Sequence, residues 1–383
     1  MLAISLMLTV VCTLPLWLVG ALAIQMRQEL AFSITALGGA VAIFRLAGAL
    51  AAIPLGRLSD RLGPVAALRT AAALAAIASL GIAVQAHTWG TLVLWLAVSG
   101  AANSLGQTAA NLALVRTVPL RRQGTAFGVK QSALPFGTLL AGLSVPLIAL
   151  TVGWRWAFVL AAVLAIAVGV AVPRGRARRY ARPTGTQNRR YGKRPLVVLS
   201  IAVFFGMGAA STVTTFIVES SAAAGVSPAA AGLILTVGSA VSIVSRLIAG
   251  AMADRRGGAH FRAVGRMQIV GALGFLLLAI HDPFWIIPGS ILAFAFSWGY
   301  HGLFWYALVR LNQATPAAAT GLVMPGGMLG GLFGPLAFGW IAESSSYQIA
   351  WLLAAFFSVA AGLCMFAGRA LLQRDLRTFE AAA

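Results

Sequence analysis

Three basic side chains stand inside long apolar stretches of the sequence: Arg45, Lys130 and Arg246. Burying a cation among apolar groups is costly, so each needs a polar cavity or a partner. Asp and Glu are missing from the centres of these stretches, since Glu219 and Glu343 fall near stretch ends. The pattern favours reversible binding of an anion, with Arg246 as its main ligand and Lys130 or Arg45 as helpers. Snorkelling and structural bonds to helix carbonyls are the alternatives.

A second group of polar residues falls on one helical face. Asn103, Gln107 and Asn111 are spaced four residues apart, which places them on one side of a helix. An internal repeat, described below, maps these three onto Ser297, His301 and Trp305, and Tyr300 adds an aromatic wall beside His301. His301 is also the mid-stretch group that would titrate near neutral pH. The pattern predicts a polar cavity, with interhelical hydrogen bonding as the alternative for the amides.

The sequence offers no pattern typical of catalysis or metal binding. The four histidines are scattered at positions 87, 260, 281 and 301. Cys12 and Cys364 both fall inside apolar stretches, where a cysteine is usually a small buried hydrophobe. We therefore predict no enzymatic activity, no metal site and no cofactor.

The stretches that would position these residues are those of a membrane protein. Of the 383 residues 60% are hydrophobic and 9% are charged, which no soluble core could accommodate. A bilayer-spanning helix needs about 20 apolar residues. Twelve stretches qualify: 3–24, 34–57, 64–85, 89–115, 123–150, 154–173, 195–218, 229–252, 264–281, 284–309, 319–342 and 347–372. The predicted fold is an all-α polytopic membrane protein with twelve transmembrane helices.

The charge of the chain is distributed unequally between alternate loops. The formal net charge is +20, and the segment 174–194 carries nine Arg and Lys residues without an acid. The opposite loops hold little beyond Arg27 and Arg155, balanced by Glu29, Asp282 and Glu343. This inside-positive asymmetry predicts that both termini lie in the cytoplasm, in a cell membrane such as a bacterial inner membrane. The basic segment lacks the interleaved aromatics of nucleic-acid sites, so anionic lipid headgroups are its expected neighbours.

The two halves of the sequence repeat each other. The run Gly56 to Gly63, with Asp60 and Arg61, recurs 194 residues later as Gly250 to Gly257, with Asp254 and Arg255. The run that ends at Arg116 recurs at the same spacing and ends at Arg310. The repeat predicts an N-terminal six-helix bundle at 1–173, a basic linker at 174–194 and a C-terminal bundle at 195–383.

At these residues the chain resembles the major facilitator superfamily of secondary transporters, whose hallmark is a Gly-x-x-x-Asp-Arg-x-Gly turn with an echo in the second half. The resemblance implies two pseudo-symmetric six-helix bundles that move a small solute by alternating access, and a chain that functions as a monomer. The run Arg246 to Gly250 followed by Asp254 is similar to the monocarboxylate and oxalate branches, where the matching Arg binds a carboxylate.

Two further sets of residues are candidates for conformational roles. Gate latches are predicted between Asp60 and Arg116 and between Asp254 and Arg310, with Arg61 and Arg255 beside them. Solvated turn charges are the alternative. Gly137, Gly142, Gly334 and Gly339 let helices approach closely, either as sliding surfaces between the halves or as simple tight packing.

None of the three cations inside apolar stretches is matched by a cation in the other half. The residues of the predicted latches, in contrast, have equivalents of the same charge in both halves. We therefore predict uptake or exchange of a small organic or inorganic anion. Efflux of a drug or amphiphile is the alternative within transport. A non-transporting membrane receptor or scaffold is the alternative from another class.

Overall fold

The computed structural model describes residues 2–117, 129–173, 193–255, 260–311 and 316–382. In these ranges the regular structure is helical. Within the described ranges seven α-helices precede the basic linker: α1 Leu2–Ala21, α2 Ala23–Leu30, α3 Ile34–Leu62, α4 Pro64–Gln85, α5 Trp89–Thr117, α6 Ala133–Ser144 and α7 Trp154–Ala171. Seven follow it: α8 Arg194–Ala223, α9 Pro228–Arg255, α10 His260–Ile280, α11 Pro283–Leu292, α12 His301–Leu311, α13 Pro316–Ser344 and α14 Tyr347–Ala382.

Ten helices of the described ranges are long and apolar enough to cross a membrane. The other two predicted spans are also helical. One is α5, where the amides at 103, 107 and 111 dilute the apolar sequence. The other is divided into α11 and α12 by a π-helical turn, Ala293–Trp298. Large apolar side chains point outward along many helices, which suits contact with lipid: Leu50, Val84, Val170, Phe284 and Trp340.

Local chemistry explains where several helices begin. Ser33 caps α3 by accepting a hydrogen bond from the Ala36 N–H at 3.1 Å. Gly63 adopts a positive φ of 78° between α3 and α4, a conformation that glycine tolerates best. Pro64 then occupies the first position of α4, where its missing N–H costs nothing. The hallmark turn of the first half is thus built by a glycine and a proline in succession.

The chain divides into two compact units that do not follow chain order. Unit 1 contains residues 1–180, 214–240 and 335–345, and unit 2 contains 181–213, 241–334 and 346–383. Unit 1 therefore holds α1 to α7 together with one end each of α8, α9 and α13. The repeat divides the chain into consecutive segments with boundaries at 173 and 195, and this division into two six-helix bundles stays a prediction.

Each unit has its own apolar core. In unit 1 small residues of α4 and α5 pack with Leu8 and Cys12 of α1. In unit 2 Leu199 and Val203 of α8 pack with Phe261 of α10 and Phe304 of α12. Cys12 is buried in the first core, as the sequence predicts for a cysteine that acts as a small hydrophobe.

Candidate functional site

The polar face of α5 meets Lys130 in unit 1. Lys130 lies in a helical turn just before α6, and its side chain is 3% exposed. Its Nζ donates hydrogen bonds to Gln107 Oε1 and Asn111 Oδ1, both at 2.6 Å. Gln107 Nε2 in turn donates to Asn103 Oδ1 at 3.5 Å. Lys130 and the three amides of α5, which the sequence predicts as separate candidates, therefore form one cluster.

The charge of Lys130 is solvated but not neutralised in this cluster. Amide oxygens are neutral acceptors, and an ammonium has three donors, of which these two bonds use two. The ion pairs found among the described residues are Arg27 with Glu219 and Arg155 with Glu29, and Lys130 takes part in neither. A buried cation with neutral partners and a remaining donor is suited to an anion that binds and leaves.

Arg246 is the candidate anion ligand of unit 2. Its side chain is 7% exposed, and Nη2 donates to the carbonyl oxygen of Trp298 at 2.9 Å. The guanidinium also lies 5.1 Å from the centre of the Trp298 ring, within range of a cation–π interaction. Trp298 ends the π-helical turn, and such turns free carbonyl groups from the helical ladder. The bond to a helix carbonyl that the sequence left open as an alternative is therefore present.

Aromatic groups surround Arg246. Tyr300 is fully buried and close enough to Arg246 to interact with it electrostatically. The ring of His301 lies 4.3 Å from that of Tyr300 between centroids, and its Nε2 lies 3.0 Å from Met207 Sδ. Trp305 is only partly buried and packs against the apolar core of unit 2.

Arg45 belongs to unit 1, and its surroundings differ from those of Lys130. Its guanidinium lies 6.0 Å from the centre of the Trp17 ring, and its Nε is buried without a hydrogen-bond partner in the described part of the chain. Trp17 also fills the space that Gly137 leaves open, since a Cβ on Gly137 would lie 3.0 Å from the indole. An aromatic face is the described neighbour of Arg45.

Sequence reasoning missed a buried polar network in unit 2. Ser297 is the repeat equivalent of Asn103, and it donates to Gln268 Oε1 at 3.2 Å. Ser358 donates to the same oxygen at 2.9 Å. These bonds join α10, the π-helical turn and α14. A glutamine in the middle of an apolar stretch was the available signal.

Charged contacts at one end of the helices were also missed. We call this the Arg27 end. Arg27 and Glu29 were expected in a loop but lie in α2, where Arg27 forms an ion pair with Glu219 of α8. Arg155 Nη2 donates to Glu29 Oε1 at 2.6 Å. Glu343 of α13 accepts a hydrogen bond from the Thr35 N–H at 2.7 Å, at the start of α3.

The predicted packing glycines all make close approaches. A Cβ on Gly142 would lie 2.5 Å from Thr236 Oγ1, and one on Gly339 would lie 2.8 Å from the Ile34 carbonyl oxygen. Both contacts join a helix of the first half to one of the second half inside unit 1. A Cβ on Gly334 would lie 2.6 Å from Gly208 Cα within unit 2. Close packing is therefore observed, and sliding at these surfaces stays a prediction.

The predicted gate residues lie outside the described side chains. Their backbones belong to the ends of α3, α5, α9 and α12, and the residues are Asp60, Arg61, Arg116, Asp254, Arg255 and Arg310. The basic linker lies outside the described residues apart from Lys193 and Arg194. Both sets stay predictions.

Comparison with known proteins agrees with this architecture. The structure is similar over 98% of the chain to a bacterial homologue of the human lysosomal transporter Spinster, in an inward-facing and occupied conformation, with a TM-score of 0.78, 14% identity and 97% of that chain covered. A D-xylose–proton symporter gives a TM-score of 0.75 at 16% identity, with 95% of this chain and 96% of that chain covered. These likenesses show the fold.

The sequence comparisons show the family. One relative, YwtG of Bacillus subtilis (strain 168), is named for metabolite transport and is 30% identical over 147 residues. That match covers 38% of this chain and spans about a third of the relative's length, 32%. Residues 5–315 match the profile of the Major Facilitator Superfamily, which confirms the predicted all-α membrane fold. The chain belongs to the major facilitator superfamily of membrane transporters.

Proposed function

We propose that this transporter carries a small organic or inorganic anion by alternating access of the halves 1–173 and 195–383, with both termini in the cytoplasm and the basic linker beside anionic lipid headgroups. The observation that carries the proposal is the environment of Lys130, a buried cation held by two neutral amides. An anion entering this cluster would supply the missing negative charge and accept the remaining donor.

Arg246 is the second candidate ligand in this proposal. Its bond to the Trp298 carbonyl and its cation–π contact with the Trp298 indole hold the guanidinium at the π-helical turn. A guanidinium can bind a carboxylate through two parallel N–H···O bonds. Arg45 lies near the Trp17 ring, and its Nε has no hydrogen-bond partner among the described residues, so we give it a supporting electrostatic role.

A ligand screen on the purified protein tests the proposal. Thermal unfolding would be followed with a panel of carboxylates, inorganic anions and cationic drugs, because a ligand that binds the folded state raises its stability. The chain has two lysines, and Lys193 is exposed before α8, so Lys193→Gln is a matched control for Lys130→Gln. Losing one charged hydrogen-bond partner costs about 1.5–3 kcal/mol, so Lys130→Gln should weaken anion binding by about tenfold or more.

The outcomes separate the candidate functions. Saturable stabilisation by an anion in the wild type and Lys193→Gln, weakened in Lys130→Gln, supports the proposal. If cationic drugs stabilise the protein and no anion does, efflux replaces anion transport as the better function. If Lys130→Gln and Arg246→Gln both bind anions like the wild type, neither cation is a ligand.

A further inference from the structure

One positive charge orients three amide side chains in unit 1. We call Lys130 and the amides of Asn103, Gln107 and Asn111 the Lys130 cluster. Lys130 Nζ lies 2.6 Å from Gln107 Oε1 and 2.6 Å from Asn111 Oδ1, so both amides turn their oxygen toward the ammonium. The reverse orientation would place an NH₂ group against a cation that has no acceptor to offer it. The charge of Lys130 therefore fixes the direction of these two amides.

The third amide takes its direction from the second. Gln107 Nε2 donates to Asn103 Oδ1 at 3.5 Å, so the oxygen of Asn103 is also directed into the cluster. An amide carries its oxygen and its nitrogen at two corners of one plane, and the nitrogen carries two donors. The side-chain hydrogen bonds described for Asn103 and Asn111 use their oxygens, which leaves the N–H groups to point away from these bonds. The cluster thus turns oxygens inward and N–H groups outward.

The outward groups of the cluster are accessible to a ligand. Asn111 is exposed, Asn103 and Gln107 are half-buried, and Lys130 is 3% exposed. A ligand therefore reaches the amide nitrogens before it reaches the ammonium, which keeps one donor beyond its two hydrogen bonds. In the described part of the chain no carboxylate bonds to the cluster. A ligand's own donor would find no charged acceptor here.

We propose that the Lys130 cluster selects anions whose polar atoms are all hydrogen-bond acceptors, such as oxo acids and inorganic oxyanions, and rejects zwitterions such as amino acids. This inference rests on the proposed anion transport and narrows its substrate class. A 2-oxo acid places carboxylate and carbonyl oxygens against the N–H groups. A 2-amino acid of the same skeleton carries an ammonium in place of the carbonyl group. The ammonium has donors only and the same charge as Lys130, so it is repelled.

Calorimetric titrations of the purified protein with 2-oxobutanoate and 2-aminobutanoate test this selection at neutral pH. The two ligands share a carbon skeleton and a carboxylate, and they differ at the carbon next to that carboxylate. The wild type should bind 2-oxobutanoate about 100-fold more tightly or better. If the amides were free to turn, their oxygens could accept the ammonium, and the two Kd values would be similar. Nitrate, whose polar atoms are all acceptor oxygens, should compete with 2-oxobutanoate.

Two variants test whether the direction of the amides sets the selectivity. In Gln107→Glu the introduced carboxylate keeps an oxygen beside Lys130 and places another at Asn103, which must then turn its nitrogen inward and its oxygen outward. Asn111→Asp keeps the acceptor of Lys130 and changes an exposed side chain, so the fold should tolerate it. Each variant offsets the positive charge and presents an acceptor, so the ratio of the two Kd values should fall about tenfold or more.

Gln373→Glu is the matched control for both variants. Gln373 is exposed on α14 and lies outside the cluster, and its replacement changes the net charge of the protein equally. This variant should keep the wild-type ratio. The unfolding temperature of each variant shows whether it is folded before its ligands are compared.

The proposal is overturned if the wild type binds the two ligands within about tenfold of each other, or binds neither 2-oxobutanoate nor nitrate. It is also overturned if folded Gln107→Glu and Asn111→Asp keep the wild-type ratio. Anion transport survives these results as long as some anion binds in a manner that depends on Lys130 or Arg246. Failure of every anion to bind removes both proposals, so the two failures are distinguishable.

Discussion

Replacing Gly38 by alanine should loosen the contact between α3 and α13 that closes the Arg27 end. A Cβ on Gly38 would lie 2.9 Å from the carbonyl carbon of Pro335, 3.1 Å from Leu336 Cα and nearer still to the Pro335 oxygen. All three atoms are backbone, so a change of rotamer cannot relieve the overlap. One of the two helices must move.

The size of the effect follows from these distances. Carbon atoms pack best at about 3.5–4.0 Å, so the α13 backbone would have to retreat by roughly 0.6–1.1 Å. Overpacking of this kind costs about 1–3 kcal/mol. Alanine also favours the helix over glycine by about 1 kcal/mol, but this gain applies equally to the closed and open arrangements, because both are helical. The balance between them should therefore shift toward the open one by about 5–150-fold.

Spin labels at Val152→Cys and Ser345→Cys, two exposed positions in the two halves of the chain, measure that balance through their distance at neutral pH, after Cys12 and Cys364 are replaced by alanine. Gly39→Ala is the matched control, since its Cβ would lie 3.7 Å from the Trp89 ring, an ordinary contact. Gly39→Ala should keep the wild-type distances and raise the unfolding temperature slightly, whereas Gly38→Ala should lengthen the distances. Identical distance distributions in the two variants would refute the reasoning.

Two further predictions concern stability. Burial raises the pKa of Glu29, but hydrogen bonds led by that from Arg155 lower it by more. The Glu29 carboxylate therefore stabilises the fold above its unfolded pKa, and this stabilisation is lost as the pH falls through its folded pKa. The wild type should unfold at a higher temperature than Glu29→Gln near neutral pH, and a temperature difference that persists unchanged in acid would contradict this. Gln268→Leu leaves the Ser297 and Ser358 hydroxyls without their shared acceptor and should cost about 1–3 kcal/mol, seen as a lower unfolding temperature. Adding Ser297→Ala and Ser358→Ala to Gln268→Leu should recover part of the loss, and an unchanged unfolding temperature in Gln268→Leu would show that the network is not stabilising.

Composition and periodicity predict the helical fold well because twelve separate apolar stretches each need the same solution in a bilayer. What they could not place were the irregular points. The π-helical turn at Ala293–Trp298 depends on packing against Arg246 and Ser245, which lie about 50 residues earlier in the chain. Helix α2 was expected as a loop because its charges dilute the apolar pattern, although these charges are bonded in the structure.

The sequence predicts which residues belong to the candidate anion site, but not which of them contact each other. Residue type and position identify Lys130 as a buried cation, and spacing of four places Gln107 and Asn111 on one helical face. Their contact requires the register between α5 and the turn before α6, which tertiary packing sets. Arg246 and Lys130 belong to different units, so their relation as ligands of one anion rests on the binding experiments.

A charged residue that has no charged equivalent in the repeat can have more than one role. A spacing of 194 residues relates Gln25 to Glu219 and Arg27 to Ser221, so the Arg27–Glu219 ion pair has no charged counterpart. In parallel repeats related by an axis along the membrane normal, equivalent residues near the axis face each other, and like charges there would repel. An attractive contact across the axis therefore needs residues that are not equivalent in the repeat, and an unmatched charge can belong to a gate as well as to the cargo site. The partner separates the two cases: Arg27 contacts a carboxylate and can latch the halves, whereas Lys130 contacts neutral amides and can accept an anion.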